Sequence, residues 1–290
     1  MFEFFIRVVQ ITVPIFVIST MLNVGLTQKP SQIFEHLREL TFVLKMLLAN
    51  FILVPLVTIL LLHLMTFDPA LKAGLLIFGL CAGAPFLIKL TQTAQHEMAL
   101  GAATMMLLMV VTVLYVPVVL PLILTGVSVD AWAIARSLLL QLLLPIGIGM
   151  VVAKFLPNFT KAVRSWVGKL GNVALYVVLV ATLIGYFPRI IEIVGTGAIF
   201  VGLVIVLAAF AIGYLLNKGR DHHEDVGALG TAQRNTAAGL VIAAQNFDDP
   251  NVLVMLTLAN TLGIVMLLFL ARFLSRDNPQ VSLADPRVPK

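Results

Sequence analysis

The sequence has little charge: Asp, Glu, Lys and Arg make up 11% of its 290 residues, compared with about 25% in an average soluble domain. Hydrophobic residues make up 60%. This composition excludes a water-soluble domain. It does not fit a membrane β-barrel either, because barrel strands are segments of about ten residues that alternate between apolar and polar, and runs such as 138–144 do not alternate. We therefore expect an all-α membrane protein.

The chain also lacks the residues of the common catalytic and metal sites. Its single cysteine, Cys81, cannot form an intrachain disulfide, and no Cys/His zinc-ligand set can be assembled around it. There is no phosphate-binding Walker loop, no His-Glu-x-x-His and no Gly-x-Ser-x-Gly motif. The apolar stretches contain no Asp or Glu pair for general acid–base work. We expect neither an ATP-driven pump nor an enzyme, and no metal or other cofactor.

Long apolar stretches dominate the sequence instead, and each is about long enough to cross a bilayer as a helix. No small-residue cleavage site follows the first stretch, which predicts a membrane helix and not a removable signal peptide. About nine spans are expected, at 4–25, 43–64, 71–93, 99–125, 133–153, 170–187, 197–217, 226–247 and 252–274.

Basic residues concentrate in alternate links between these stretches, which by the positive-inside rule places the N-terminus outside and the C-terminus in the cytoplasm. Arg189 is an exception to this rule, because it lies on the predicted outer side. The net charge of +5 suits an inner-leaflet anchor better than a nucleic-acid surface. We expect a single transporter domain over 1–275 in a cell inner membrane and a disordered cytoplasmic tail over 276–290. The basic links are 26–42, 154–169 and 218–225, and the links without Lys or Arg are 65–70, 126–132 and 248–251.

Two spans contain helix-breaking residues. The third has Gly83 and Pro85, and the eighth has Gly230 among other small and polar residues. Interrupted helices at membrane depth persist where they are buried in protein or line a cavity, and in transporters they form the binding site. Because the third and eighth spans lie five apart, they would cross in opposite directions. This arrangement predicts an inverted repeat that lacks one N-terminal helix.

Lys89 in the third span and Arg234 in the eighth are cations inside apolar segments, where a charge costs roughly 3 kcal/mol or more. One hypothesis is that both face a central cavity, where they attract an anionic substrate or replace a coupling cation. The alternative is that one of them snorkels to the interface. For Lys89 the alternative has support from the polar residues 95–97 that follow it.

Other polar side chains are candidates for the same site. Asn50 either faces the cavity or makes a helix-to-helix hydrogen bond, which is worth about 0.6 kcal/mol in membranes. Asn260 and Thr261 fit the structural interpretation better. The stretch 222–225, His-His-Glu-Asp, is expected to be a solvated loop and not a metal site. The remaining candidates accompany the two cations and are Thr91, Gln92, Gln233, Asn235 and Thr236.

Four segments together resemble the bile acid:sodium symporter family. Residues 21–34 resemble its Gly-Leu-Thr-Leu-Lys-Pro-Ser-like turn, and 50–55 its Gln-Phe-x-x-x-Pro stretch. Residues 79–85 resemble its Gly-x-Cys-Pro-Gly-Gly crossing helix, and 233–240 the Gly-Met-Gln-Asn-Ser-Gly-Leu segment of its second crossing helix. The resemblance covers about 10–274. It implies a ten-helix fold of a core and a panel, here without the first helix, and transport of an organic anion with sodium.

The chain departs from the family at the sodium ligands. Leu87 and Ile88 stand where the family has a Ser-Asn pair, Gly230 where it has Glu, and Arg234 where it has Gln before Asn. Hydroxyl residues of the family's next helix align near Gly101 and Met105, and Asn50 is the nearest surviving ligand position.

Lys and Arg have no oxygen to offer a cation. We expect Lys89 and Arg234 to occupy the volumes that sodium holds in relatives, with the compact Lys89 ammonium as the closer mimic.

The resulting expectation is secondary transport of a small organic anion by alternating access, with sodium coupling weakened or absent. Three alternatives stay open: a sodium-coupled symporter that uses other ligands, a facilitator or proton-linked exchanger, and a non-transporting receptor of the same fold. The expected partners are the anion and membrane lipids.

Overall fold

In the computed structural model every regular element is a helix, and no strand occurs within the described residues. The all-α prediction is confirmed. The structure describes residues 2–28, 31, 35–124, 130–219 and 223–275. The proposed tail over 276–290 and His222 therefore lie outside the described residues, as do Lys29 and Arg220 of the basic links. The helices are α1 Phe2–Thr27, α2 Leu40–Leu64, α3 Pro69–Leu80, α4 Phe86–Thr93, α5 Met98–Ile123, α6 Ala131–Phe155, α7 Pro157–Gly185, α8 Phe187–Val194, α9 Ala198–Asn217, α10 His223–Ala232, α11 Thr236–Asn246 and α12 Pro250–Leu274.

Seven of these helices are long and apolar enough to cross a membrane: α1, α2, α5, α6, α7, α9 and α12. The predicted third and eighth spans are each split into two shorter helices, α3 with α4 and α10 with α11. Many large apolar side chains on the long helices are exposed on the outside of the bundle, as expected where the neighbour is lipid and not water.

Residues 154–169, predicted as a basic link between two spans, are helical apart from Leu156. Only Leu156 separates α6 from α7, which begins at Pro157 and continues to Gly185. Proline suits the first turn of a helix because its missing N–H is not needed there. The basic side chains of this segment are exposed at the end of α6 and along the first half of α7, where Lys169 Nζ lies 5.1 Å from the centre of the Trp166 ring.

Helices α2 and α6 each contain a short π-helical segment just before a proline. In α2 the segment is Ala49–Leu53, followed by Pro55, and Val54 N donates to Ala49 O. In α6 the segment Leu139–Leu143 precedes Pro145 in the same way. Proline has no N–H to donate to the carbonyl four residues earlier, so the preceding turn widens to accommodate the missing bond.

Eight of the twelve helices pack in two groups. Helix α1 packs along α7 and against α6, and Gly25 and Gly149 allow close approach, since a methyl group on Gly25 would overlap the Ile146 carbonyl. We call these three helices the three-helix layer. The second group contains α3, α9, α10, α11 and α12, of which α3 with α12 and α9 with α10 pack most extensively. The hydrophobic effect does not act between helices in lipid. Small residues at such contacts let the backbones approach closely, so that van der Waals packing holds the helices together.

Candidate functional site

The two interrupted helices meet at their breaks. Ala82 and Arg234 form an isolated antiparallel bridge, and Asn235 N donates to Cys81 O at 3.0 Å. The Asn235 side chain adds a bond from Nδ2 to Gly83 O at 2.9 Å. We call these two segments, 81–85 and 233–235, the crossing. Its residues are buried except for Pro85, which is half-buried.

The first break follows from Gly83 and Pro85, as the sequence predicted for these two residues. Gly83 has φ +80°, and a methyl group there would overlap the backbone of Met109 in α5. Pro85 caps α4 and has no N–H to continue α3. Thr112 of α5 pairs with the backbone groups that the break leaves without helical partners. Its Oγ1 accepts from Ala82 N and donates to Ala82 O, both at 3.0 Å. The sequence analysis did not identify Thr112.

The second break is formed by the polar residues themselves. Asn235 Oδ1 accepts from Ala238 N at 3.0 Å and so caps α11. Gln233 Nε2 donates to Arg234 O at 3.2 Å, while its Oε1 is buried without a hydrogen-bond partner among the described residues. Gly230 does not lie at the break, contrary to expectation. It lies inside α10, where the absence of a side chain leaves room for Met46 and other neighbours.

Arg234 is the most unusual residue of the crossing. Its side chain is 2% exposed. Nε donates to Cys81 O at 3.2 Å and Nη1 donates to Thr231 O at 2.8 Å. Both carbonyls lie at the C-terminal ends of half-helices, α3 and α10, where the peptide dipoles place partial negative charge. The guanidinium thus stabilises two helix ends that would otherwise attract a cation.

The guanidinium has no acidic partner within the described residues, and its Nη2 is buried without a hydrogen bond there. The ionisable groups that act on it electrostatically are the Cys81 thiol and the Tyr115 phenol, which are neutral groups at neutral pH. A full positive charge is therefore buried without a counter-ion from the described part of the chain.

Asn50 lies beside this site. It is fully buried in the π-helical segment of α2, and its Nδ2 donates to Met46 O at 3.0 Å and to Thr231 Oγ1 at 3.4 Å. The helix-to-helix hydrogen bond considered for this residue is therefore present. Asn50 Oδ1 is buried without a partner among the described residues, so an acceptor oxygen remains available next to the second interrupted helix.

The structure does not bring Lys89 and Gln92 to the crossing. Both side chains are exposed, and Lys89 Nζ donates to Gln92 Oε1 at 3.3 Å. Thr91 is buried but donates to Leu87 O within α4 at 2.9 Å. Thr236 is half-buried at the start of α11. Of the predicted site residues, the crossing gathers Arg234, Gln233 and Asn235 together with the neighbouring Asn50.

The expected solvated loop at 223–225 is wrong, because these residues form the first turn of α10. Asp225 is buried, and its Oδ2 contacts His96 Nε2 in the link before α5. His223 Nδ1 lies 3.5 Å from Glu39 Oε2. These pairs hold the beginning of α10 against two other links. The part of the chain that the structure describes contains no group of three potential metal ligands.

The sodium bile acid symporter family model matches residues 14–216, more than half of the chain. The chain belongs to this family of transporters, and its long apolar helices are those of a multi-pass membrane protein. The resemblance seen in the motifs is confirmed.

Two relatives have similar sequences over about four fifths of the chain. The probable chloroplastic sodium/metabolite cotransporter BASS2 of Oryza sativa subsp. japonica is 26% identical over 239 residues, which are 81% of this chain and 57% of the relative. The probable chloroplastic sodium/metabolite cotransporter BASS1 of Arabidopsis thaliana is 25% identical over 239 residues, 80% of this chain and 58% of the relative. The chain thus spans less than three fifths of the length of either relative.

Proposed function

We propose that the chain is a secondary transporter that moves a small organic anion by alternating access, and that Arg234 takes the place of a bound sodium ion. The observation that carries the proposal is the guanidinium at the crossing, which donates to the carbonyls of Cys81 and Thr231. In broken-helix transporters, such half-helix carbonyl ends coordinate the coupling cation. In this chain the cation that contacts these carbonyls is the Arg234 side chain and not a free ion.

The chemistry of arginine supports the loss of sodium coupling. A guanidinium has five N–H donors and no acceptor, so it offers a sodium ion no ligand and repels it by charge. Each of the two carbonyls that it binds also uses one of its lone pairs for the guanidinium, which leaves fewer for a sodium ion. Lys89 takes no part in this proposal, because its side chain is exposed and bonded to Gln92.

The same charge supports an anionic substrate. A buried cation without a partner is strongly unfavourable, and a bound anion would offset that cost. The N-terminal ends of α4 and α11 begin beside the crossing, at Phe86 and Thr236, and helix N-termini favour negative charge. The buried Nη2 of Arg234 has donors left for such an anion.

The interrupted pairs of helices, α3 with α4 and α10 with α11, also enter the proposed membrane topology. If each pair crosses the membrane once, the seven long helices and two interrupted ones make nine spans, and the interrupted spans run in opposite directions. The antiparallel sense of the Ala82–Arg234 bridge supports this. We further propose a transporter domain of inverted repeats over 1–275, in a cell inner membrane, with the N-terminus outside and the C-terminus in the cytoplasm.

A sodium-coupled symporter is the second candidate, since both relatives have sodium cotransport in their names. The observation that favours it is a pair of buried acceptor oxygens, Asn50 Oδ1 and Gln233 Oε1, which have no partner among the described residues. Oxygen atoms of this kind are the ligands that a hard cation prefers.

Uptake of labelled small carboxylates into proteoliposomes, with and without an inward sodium gradient, separates the two candidates. We expect equal uptake in both conditions. Arg234→Gln should reduce sodium-free uptake by roughly tenfold or more, since a hydrogen bond to a charged group contributes about 1.5–3 kcal/mol. Sodium should then stimulate this variant, because glutamine restores an oxygen ligand.

Two further variants make the test specific. Arg234→Lys retains the charge and should retain more sodium-free uptake than Arg234→Gln, while Arg189→Gln removes an exposed arginine of α8 and should have no effect. Unchanged uptake by Arg234→Ala would refute the role of Arg234. Sodium-stimulated uptake by the unmodified protein would favour the symporter, and binding without accumulation would favour a receptor.

A further inference from the structure

A second group of polar side chains lies at the far end of α11, away from the crossing. There a cleft of about 390 Å³ separates α6 from the end of α11. Cavities of roughly 300–1,000 Å³ are typical of small-molecule sites. The cleft is lined by Ala133, Arg136, Ser137, Leu140, Gln141 and Gln245.

The polar lining residues have unused hydrogen-bonding capacity. Arg136 is exposed, and none of the ion pairs among the described residues includes it. Gln141 Oε1 is buried and has no partner in the described part of the chain. Ser137 Oγ donates to Ile134 O at 2.9 Å, so the hydroxyl can accept but has no further proton to donate. Besides the exposed amide of Gln245, the cleft thus offers one cation, one buried acceptor and one hydroxyl oxygen.

The backbone of α6 contributes to this arrangement. Gln141 is the middle residue of the π-helical segment Leu139–Leu143, the only polar residue in a run of leucines at 138–144. Such segments occur frequently at functional sites because they redirect a side chain relative to a regular helix.

The cleft also lies between the two groups of helices. Helix α6 belongs to the three-helix layer, while α11 belongs to the group that forms the crossing. Gln245 follows Thr236 by nine residues in the same helix, which corresponds to about 14 Å along its axis. A ligand in the cleft would therefore contact both groups and lie on the same helix as the crossing, without occupying it.

A second cleft on the other side of the end of α11 has the opposite charge. It measures about 220 Å³, lies between α1 and the link from α11 to α12, and its lining includes Gln10, Asp248 and Asp249. Carboxylates repel an anion, whereas Arg136 attracts one and can bind a carboxylate with two parallel hydrogen bonds. The charge difference selects the Arg136 cleft for an anion.

We propose that this cleft is an outer binding site for a small hydroxycarboxylate, which occupies it before reaching the crossing. Arg136 binds the carboxylate, and Gln141 Oε1 accepts a hydrogen bond from the hydroxyl group. The inference rests on the proposed transport of an organic anion and adds the substrate class and a specificity residue. Arg136 sets the requirement for negative charge, and Gln141 sets the preference for a hydroxyl group.

The test measures binding and uptake separately with three matched compounds. Lactate has both groups, propionate lacks the hydroxyl, and lactamide lacks the negative charge. Binding of labelled lactate to the full chain in nanodiscs is measured by scintillation proximity, with the other two compounds as competitors. Lactate should compete best, propionate more weakly and lactamide least.

Two variants and one control assign the residues. Arg136→Gln should weaken lactate binding by roughly 10- to 100-fold, the range for a lost charge-assisted contact. Gln141→Leu, which matches the neighbouring leucines, should bring lactate down to the affinity of propionate and leave propionate unchanged. Arg189→Gln removes an exposed arginine outside the cleft and should change neither.

The outcomes distinguish this site from the transport proposal. Arg136-dependent lactate binding without uptake would support the site and contradict transport. Uptake of lactate that Arg136→Gln leaves unchanged would overturn the site and leave transport standing. Equal affinity for lactate and propionate in the unmodified protein would overturn the role of Gln141, and no lactate binding at all would overturn the substrate class.

Discussion

Gly83 makes the crossing possible at the scale of a single residue. Its φ of +80° lies in the left-handed region, and the backbone of Met109 occupies the space where a side chain would begin. Both facts require glycine, because a left-handed conformation costs other residues roughly 1–2 kcal/mol. A side chain here would also push α5 away from the break.

Gly83→Ala is therefore expected to destabilise the protein by more than the backbone term alone, roughly 2 kcal/mol or more. Gly147→Ala is the matched control, because Gly147 lies in a regular helix and no neighbouring atom lies within 4 Å of an added methyl group. Thermal unfolding of the purified protein in detergent measures both. Equal melting temperatures for the two variants would contradict the assigned role.

Arg234 shows why a residue type alone does not define a site. Arg136, Arg189 and Arg234 all lie in or near helices, yet only Arg234 of the three is buried. Arg234 lies between two half-helix C-terminal ends, and its fixed positive charge stabilises their carbonyl groups. Arg136 instead is exposed in a cleft, where a charge can attract a ligand without a large desolvation cost.

At the scale of helices, Thr112 links α5 to the first break. A buried N–H and C=O that have lost their helical partners are costly in a membrane, and one hydroxyl satisfies both groups of Ala82. The interruption of one helix is thus stabilised by a second helix. The π-helical segments of α2 and α6 are different, since each is accommodated within its own helix before a proline.

Thr112→Val, which retains the shape of the side chain, should lower stability by roughly 1–3 kcal/mol because it leaves two buried backbone groups unsatisfied. Thr257→Val provides the comparison: Thr257 is also buried, but its Oγ1 donates only to Leu253 O in its own helix. We expect a clearly smaller loss of thermal stability for Thr257→Val. A similar loss of thermal stability for both variants would show that the hydrogen bonds from Thr112 to Ala82 contribute no more than a bond within one helix.

At the scale of the whole molecule, the two groups of helices form the surfaces that must move in alternating access. Both clefts lie where α11 and the following link meet the three-helix layer. In a mechanism of this type one group of helices rocks against the other around a site that stays fixed. A covalent link between the groups should therefore stop transport, and a link within one group should not.

The double variant Ala133→Cys with Gln245→Cys places one thiol on each side of the Arg136 cleft. This double variant should transport before it is crosslinked. A bifunctional thiol reagent that joins its two thiols should abolish uptake. Asn23→Cys with Gly168→Cys provides the control, because these positions are neighbours within the three-helix layer. The native Cys81 is buried, so it should not react. Continued uptake after complete crosslinking of the first pair would exclude motion between the groups.

Most of the helical architecture could be predicted because its causes are local in the chain. Hydrophobic length identifies helices such as α5 and α9, and the first break follows from Gly83 and Pro85. The helical conformation of the link predicted at 154–169 could not be read from hydropathy, which indicates only where the apolar spans lie. Charged side chains do not break helical hydrogen bonds, and α7 continues through them.

The candidate site was predictable only in part. Arg234, Gln233 and Asn235 are adjacent in the chain, so they could be found as one polar group in an apolar span. Lys89 could not be placed, because a difference of a few residues decides which face of α4 a side chain occupies. Thr112 resembles any other threonine of the apolar spans, and its role depends on a backbone break 30 residues away.

The sequence by itself determined the membrane helices, the two interrupted spans and the family, because hydropathy, glycine, proline and short motifs act on neighbouring residues. Only the tertiary structure decided which polar groups meet. Arg234 reaches Cys81 across 153 residues of chain, and the Arg136 cleft exists only where α6 faces α11. Such contacts depend on how helices pack, and in a membrane packing is set by the shapes and small residues of helix surfaces, which no hydropathy pattern records.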